Sequence, residues 1–372
     1  MRRLLIISAE FTGHGHKSIA DSTKERLAAY DDIEVRIIEG FDLMSKVQQG
    51  LTKKTYGPVT RLPSQAWATS YAAGNALRQP VEKIIGMMIR TRFEALIHEF
   101  KPDCIMSVHP MFNGSVIDLL KELNLKIPFI VHQADLIDIA SYYMDDRADL
   151  TLCPSQEAYD CSVANGMTPS KLRKIGFPVR SRFIGLAEKA AAHKNDVLTI
   201  TVMSGSEGSG VIRTVTKHLL RGTNARVNVI CGRNKHLRKK LRKAFTKDYY
   251  GRVNVMGFVE RIQDVMCESD ILVMRASPNS VMEAVALNKP VILFGQLAGQ
   301  ELHNPQMLEK HGLAKYCPEP EMLPECVANL LKDNGAAIEK MREAQRAYAP
   351  GDVCVETAKL LNDFIKPYGW EK

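Results

Sequence analysis

The sequence has no C-x-x-C pair, and none of its 8 cysteines joins histidines at metal-ligand spacing. That spacing excludes a structural zinc site. Several cysteines, including Cys104 and Cys231, sit in apolar strand-like runs where small thiols bury readily, so a reducing compartment is expected. No run of about twenty apolar residues occurs, so no transmembrane helix is expected and any membrane contact is peripheral. The opening MRRLLIIS has the basic start of a signal peptide, but its apolar run is short and meets Glu10, so it reads as a first strand. G-x-G-x-x-G is missing, and Lys17-Ser18 follows His16 rather than a glycine, so neither a dinucleotide fingerprint nor a Walker loop is present. Acidic residues are scarce in two stretches. Between Met44 and Lys101 nine Lys/Arg face three acids, and between Lys217 and Arg252 twelve basic residues face Asp248 alone. Such clusters suit an anionic partner, or serve as a solvated face.

What is present is α/β grammar. At 372 residues, with 45% hydrophobic and 25% charged, the chain suits two soluble domains. Short apolar strands are predicted at Arg3 to Ser8, Glu34 to Ile38, Asp103 to Val108, Ile127 to Val131 and Asp149 to Leu152, alternating with helices such as Lys17 to Tyr30 and Ser155 to Asn165. The alternation resumes at Leu198 to Met203, Arg226 to Cys231, Arg252 to Met256, Asp270 to Met274 and Pro290 to Phe294. Three helical segments close the chain, near Pro320 to Lys332, Ala336 to Ala347 and Gly351 to Ile365. This pattern predicts right-handed crossovers and mainly parallel sheets. The small, polar stretch Leu186 to Asp196 marks the expected domain boundary. The expected division is 1–190, 191–350, and a C-terminal helix over 351–372 that packs back on the first domain.

Chemistry is concentrated where strands end. Glu10 to His16 (EFTGHGH) offers glycines for close backbone approach, helix-start amides, and His16, whose ordinary pKa suits a general base. A Gly/His turn is also simply a tight corner. His109, after Ser107-Val108, can bond a substrate hydroxyl or cap the next helix. Asp135, in His132-Gln133-Ala134-Asp135, can orient an acceptor, act as a base, or close a turn. The loop Ser204 to Gly210 (SGSEGSG) presents small residues at a helix start, an anion cradle suited to a diphosphate. Arg275 to Asn304 runs from a strand end through Ser277-Pro278-Asn279-Ser280 into a helix carrying Glu283, expected in its first turn, and then through a second buried strand. Two strands around such a helix form a nucleotide pocket in doubly wound sheets. The acid pairs Asp145/Asp146 and Asp135/Asp138 make no oxygen cage for Mg²⁺, so no metal is expected.

Taken together, SEGSG after Gly205, ICGRN at Ile230 to Asn234, VMGFVERI at Val255 to Ile262, the Glu283 helix and GQLAGQELHN at Gly295 to Asn304 resemble the glycosyltransferases that make monogalactosyl- and glucosyl-diacylglycerol. GHGH at Gly13 to His16, SVHP at Ser107, CPS at Cys153 and IGFPVRSRF at Ile175 to Phe183 agree in the same order. Relatives of this family include the lipid-linked peptidoglycan precursor glycosyltransferase.

The resemblance implies a GT-B fold, two Rossmann-like domains facing a central cleft. It also implies an inverting transfer of glucose or galactose from a UDP-sugar to a diacylglycerol-type lipid, with no cofactor beyond that donor. By position, Gly205, Ser206, Glu207 and Gly208 would face the diphosphate, and Arg233 and Phe258 the nucleotide. Glu283 would bind the ribose hydroxyls, Ser280 would also serve the donor, and Gln300, Glu301 and Asn304 would touch the sugar or the nearby pocket wall. His16, Asp135 and His109 would be catalytic, with Glu10, Gly13, His14 and Gly15 toward the acceptor. An anionic membrane surface is the implied partner, touched by the basic stretch Met44 to Lys101 with Tyr56, Trp67, Tyr71 and its Met/Ile run, whose alternative is a core helix. Nucleic acid is not expected, and the implied location is cytoplasmic, on the inner face of the cell membrane. Ser277-Pro278-Asn279 departs from the Gly-rich turn of the family, and Ala134-Asp135 replaces Thr-Asp. A soluble acceptor, or a non-catalytic sugar-nucleotide or lipid-binding role, is the alternative.

Overall fold

The computed structural model describes residues 1–10, 14–50, 77–205, 210–297, 299–349 and 351–370, with His14 described by its backbone alone. The chain forms two compact units. The first comprises Met1–Pro178 with Asp352–Lys372 and the short piece ending at Gln300; the second comprises Val179–Leu297 and Glu301–Gly351.

In unit 1 the strands are β1 (Arg2–Ser8), β2 (Ile33–Glu39), β3 (Cys104–Ser107), β4 (Phe129–His132), β5 (Leu150–Cys153) and β6 (Leu172–Lys174), in the order β2-β1-β3-β4-β5-β6. Every pairing is parallel. Parallel strands need helical covers on both faces, so β1 is apolar throughout its inner run, with Leu4, Leu5, Ile6 and Ile7 fully buried. Helix α1 (His14–Leu27) begins three residues earlier than its periodicity predicts, placing His16 in its first turn. Helix α2 (Arg78–Phe100) buries Ile85, Ile89, Phe93 and Ile97. The Met/Ile run is therefore divided: Ile85 and Ile89 are core, whereas Ile84 is 52% and Met87 65% exposed. Tyr56, Trp67 and Tyr71 of the same stretch lie outside the described residues.

Unit 2 contains β7 (Thr199–Met203), β8 (Arg226–Ile230), β9 (Val253–Met256), β10 (Ile271–Arg275), β11 (Val291–Gly295) and β12 (Lys315–Tyr316), ordered β12-β11-β10-β7-β8-β9 and again all parallel. Its winding leaves β7 in one direction through β8 and β9 and in the other through β10 to β12, the doubly wound arrangement. The expected polar boundary at Leu186 to Asp196 is instead structured within unit 2. Residues Ala187–Ala192 form a helix that buries Ala190, and the ammonium of the buried Lys289 donates to the carbonyls of Ala190 and Ser269, both at 2.8 Å. The division between units falls earlier, at Pro178/Val179. The closing helical segment Leu323–Tyr348 breaks at Asp333, Asn334 and Gly335, all at positive φ, which yields the two helices the sequence predicts there.

One contact ties fold to site in unit 1. Gly40 follows β2, and a Cβ placed on it would overlap the ring of the fully buried Phe112, which packs against His109 with ring centroids 5.6 Å apart. Gly40→Ala is expected to lower unfolding stability by about 1–3 kcal/mol, as overpacking does. Denaturant titration would show a lower midpoint at constant slope; an unchanged midpoint would contradict the packing.

Candidate functional site

Both sheets reverse winding at one strand pair, β1/β3 in unit 1 and β7/β10 in unit 2. Loops leaving the carboxyl ends of such a pair diverge over opposite faces and open a crevice. The candidate residues collect at these two places.

In unit 1 the reversal brings His16 beside His109, ring centroids 4.6 Å apart and nearly edge-on. The Nδ1 of His16 lies 2.8 Å from the Val108 carbonyl. A carbonyl only accepts, so Nδ1 carries the proton and the neutral ring presents Nε2 as a base. Tyr143, fully buried, donates its hydroxyl to the same carbonyl at 3.2 Å and so helps hold that acceptor in place. Met111 N–H donates to His109 Nδ1 at 3.4 Å, which puts the His109 proton on Nε2. Desolvation lowers the His16 pKa to about 4, only partly countered by the Val108 bond, although the residue is half-buried by surface area. Burial, and secondarily the charge of His16, holds His109 well below the ordinary imidazole value. A third histidine, His132 at the end of β4, joins them. It is fully buried with a pKa near 4 from desolvation, its Nδ1 donates to the Gln133 carbonyl at 2.8 Å, and its Nε2 has no partner among the described residues.

The other unit 1 candidates fall around this cluster. Asp135 is half-buried on the loop after β4, the strand next to β3. Glu10, at the end of β1, is held by Lys17 at 2.7 Å, and its amide donates to Glu39. Gly15 lies in the first turn of α1 beside His16, and the His14 backbone starts that helix. Gly13 lies outside the described residues, as does the side chain of His14. Asp145 is bound by Arg78 at 2.9 Å and Arg147 at 2.7 Å, and Asp146 by Thr168, so both carboxylates serve internal ties.

Helices α3 (Asn113–Glu122) and α4 (Gln156–Ala164) follow in unit 1, and unit 2 holds α5 (Ala187–Ala192), α6 (Val211–Gly222), α7 (Lys235–Phe245) and α8 (Ile262–Cys267) before α9 (Pro278–Ala286), on which Glu283 is 4% exposed. Pro278 occupies the first position of α9, where its missing N–H costs no helical bond. Glu283 consequently lies in the second turn rather than the first. Arg180, half-buried, directs Nε (2.6 Å) and Nη2 (2.5 Å) at the same carboxylate oxygen, Oε1, leaving Oε2 for another donor. Desolvation raises the Glu283 pKa to about 7 against the opposing pull of Arg180.

At the reversal itself, Gly205 has φ +84°, and a Cβ there would lie 3.7 Å from Arg275 Nη2. The guanidinium thus stands beside the start of the Ser204 to Gly210 loop, held by Glu301 at 3.1 Å. Helix α6 opens after Gly210 with no side-chain cap. Ser206, Glu207 and Gly208 lie outside the described residues. Glu301 is 3% exposed and also accepts from the Leu297 amide at 2.7 Å, so it shapes its loop. Asn304 is fully buried and donates to the Ala276 carbonyl at 2.9 Å, tying the loops after β10 and β11 together. Gln300 and Ser280 are half-buried. Arg233 stacks over Phe258, guanidinium carbon 4.8 Å from the ring centroid, at the ends of β8 and β9.

Sequence reasoning missed His132, Tyr143, Arg180 and Arg275. Arg180 stood inside IGFPVRSRF and Arg275 at the end of a strand, but their partners are 103 and 26 residues away, beyond any local spacing signal.

The chain is similar to known proteins over most of its length. Residues 16–179 match the family model of monogalactosyldiacylglycerol (MGDG) synthase, and residues 199–352 match the glycosyltransferase family 28 C-terminal domain. The chloroplastic monogalactosyldiacylglycerol synthase of Spinacia oleracea is 25% identical, covering 98% of this chain and 73% of its own. Among solved structures, MurG of Acinetobacter baumannii superposes with a TM-score of 0.64 at 14% identity, covering 98% of this chain and 100% of that one. HepE of Anabaena in complex with UDP gives 0.61 at 13%, covering 98% and 99%. These structural matches establish the GT-B fold.

The histidine cluster makes a direct prediction. With pKa values near 4, His16 and His132 stay neutral from pH 8 down to pH 5 and protonate only below it. Imidazole ¹⁵N spectra, assigned with His16→Asn and His132→Asn, should show midpoints near 4; titration near the ordinary value of about 6.5 would contradict the burial described.

Proposed function

We propose that this chain, a hexosyltransferase whose residues 16–179 match the monogalactosyldiacylglycerol synthase family model and whose residues 199–352 match the glycosyltransferase family 28 C-terminal domain, moves glucose or galactose from a UDP-sugar to a diacylglycerol-type lipid, with inversion at the anomeric carbon. The observation that carries the reading is the division of chemistry between the two winding reversals: a neutral imidazole base in unit 1, and a carboxylate, a guanidinium and an uncapped helix start in unit 2.

In this reading Glu283 Oε2 accepts from a ribose hydroxyl while Arg180 holds Oε1. Arg275 and the amides opening α6 receive the diphosphate, where developing negative charge is stabilised in the transition state. Arg233 and Phe258 flank the nucleotide. His16 Nε2 takes the proton of the acceptor hydroxyl as that oxygen attacks the anomeric carbon. The bond to the UDP oxygen breaks, and UDP departs with the electron pair. His109, with its proton on Nε2, and Asp135 position the acceptor, and Glu10, His14 and Gly15 line its approach. No described helix is long and apolar enough to cross a membrane. Exposed Ile84 and Met87, beside exposed Lys83 and Arg90 on α2, support peripheral contact with an acidic lipid surface.

Incubation with UDP-glucose or UDP-galactose and diacylglycerol in neutral detergent micelles should yield a glycolipid of β configuration from an α-linked donor. No transfer from either donor, with intact UDP binding, would overturn the acceptor assignment. His16→Ala is expected to lower kcat about 10²–10⁴-fold with little change in UDP affinity. Glu283→Gln is expected to weaken UDP binding about 10–100-fold, the loss of a charge-assisted hydrogen bond.

The pH dependence has a definite sign. Glu283 binds best as carboxylate, so wild-type affinity should rise as pH passes upward through about 7 and fall below it. Glu283→Gln should lack that component in calorimetric titrations; a slope shared by both proteins would remove Glu283 from the nucleotide site.

A further inference from the structure

Tyr143 lies on one short turn of helix, Ser141–Tyr143, whose start has no side-chain cap. A single turn fixes several backbone angles for one internal hydrogen bond, so it does not persist unaided. Two neighbouring helices of unit 1 hold it. The Arg78 guanidinium, at the start of α2, donates through Nη1 to the carbonyls of Ser141 (2.8 Å) and Met144 (2.6 Å), and through Nη2 to Asp145 at 2.9 Å. Asn113, which opens α3, donates to the Tyr142 carbonyl at 2.9 Å.

Arg78 is anchored in turn. Its Nε donates to Glu82, one turn along α2, at 2.7 Å, so four of its five N–H donors are engaged. Glu82 is buried where Gly114 leaves room: a Cβ on Gly114 would overlap its carboxylate. The Glu82 carbonyl accepts from Ser115 Oγ at 2.8 Å. A buried ion network of this kind adds little net stability over apolar packing of similar volume. What it supplies is geometry, because a planar fork sets two carbonyls and a carboxylate in fixed relative positions.

The turn held in this way delivers one group to the site. Tyr143 is fully buried, and its hydroxyl donates at 3.2 Å to the Val108 carbonyl, the oxygen that receives His16 Nδ1 at 2.8 Å. A carbonyl oxygen has two lone pairs and accommodates both donors. Should that oxygen turn away, His16 loses the acceptor that keeps its proton on Nδ1. The other tautomer carries the proton on Nε2 and has no base to offer an acceptor hydroxyl there.

We propose that Arg78 and Tyr143 are positioning residues for the His16 base: the Arg78 fork fixes the turn, the turn sets the Tyr143 hydroxyl on the Val108 carbonyl, and that carbonyl keeps the His16 proton on Nδ1. The proposal deepens the functional reading and rests on it for the role of His16.

Two substitutions in the full chain test it. Tyr143→Phe removes the hydroxyl and keeps the ring, whereas Arg78→Lys keeps the charge beside Glu82 and Asp145 but loses the fork. At pH 7, where His16 is neutral, wild-type imidazole ¹⁵N spectra should show a protonated Nδ1 and a bare Nε2. In both variants the two signals should move toward each other as the second tautomer becomes populated. Each variant should lower kcat about 3–10-fold, the loss of one neutral hydrogen bond, at unchanged KM for the UDP-sugar. Added to His16→Ala, Tyr143→Phe should cost nothing further, because the group it positions is gone. Wild-type ¹⁵N shifts in Tyr143→Phe would overturn the proposal, and so would a loss of kcat that persists in the His16→Ala background. Where Arg78→Lys fails to fold, Tyr143→Phe alone decides. Moved shifts in a protein that transfers no sugar would uphold the positioning and sink the functional reading; unmoved shifts in a protein that does transfer sugar would do the reverse.

Discussion

A parallel sheet must send each crossover over one face or the other, and where the direction changes the covering helices part. That constraint sets where the central candidate residues of each unit emerge. In unit 1 the change falls between β1 and β3, so the first turn of α1 and the loop after β3 bring His16 and His109 to 4.6 Å. In unit 2 it falls between β7 and β10, and Gly205, Arg275 and the Glu283 helix emerge there. Apolar strands buried on both sides make these positions rigid, which catalytic placement requires.

Burial then sorts the ionisable groups into roles. The same desolvation that strips protons from the histidines, leaving a neutral base, favours the protonated form of Glu283. Two carboxylates in unit 2 show how partners decide the rest. Glu301 is saturated by Arg275 and the Leu297 amide and acts as loop architecture. Glu283 receives Arg180 on one oxygen only and so retains an acceptor for a ligand. An acidic residue in the second turn of a helix gains little from the dipole, and Arg180 takes over that work.

Much of the fold was legible because apolar runs of four to seven residues between helical segments have few other readings; ten strands stand within two residues of where the pattern puts them. The missed strands, β6 (LRK) and β12 (KY), are short, polar sheet edges, and a protein protects its edges with such segments. The polar stretch at Leu186 to Asp196 looked like a linker because its tertiary anchors, Ala190 packing and the buried Lys289, are invisible to composition. Site loops were legible from their position after strands and from family motifs. The pairs that tune them were not, since Arg180 with Glu283 and His16 with Val108 join residues 103 and 92 apart in sequence.

The central claim, that the donor nucleotide is held at the β7/β10 reversal of unit 2, is tested most directly by hydrogen–deuterium exchange with and without UDP. The account predicts slowed exchange at Ser204 and through the opening turn of α6, and across Ala276 to Glu283, with the His16 turn of α1 unchanged. Protection confined to the His16 and His109 loops, with none across Ala276 to Glu283, would contradict it.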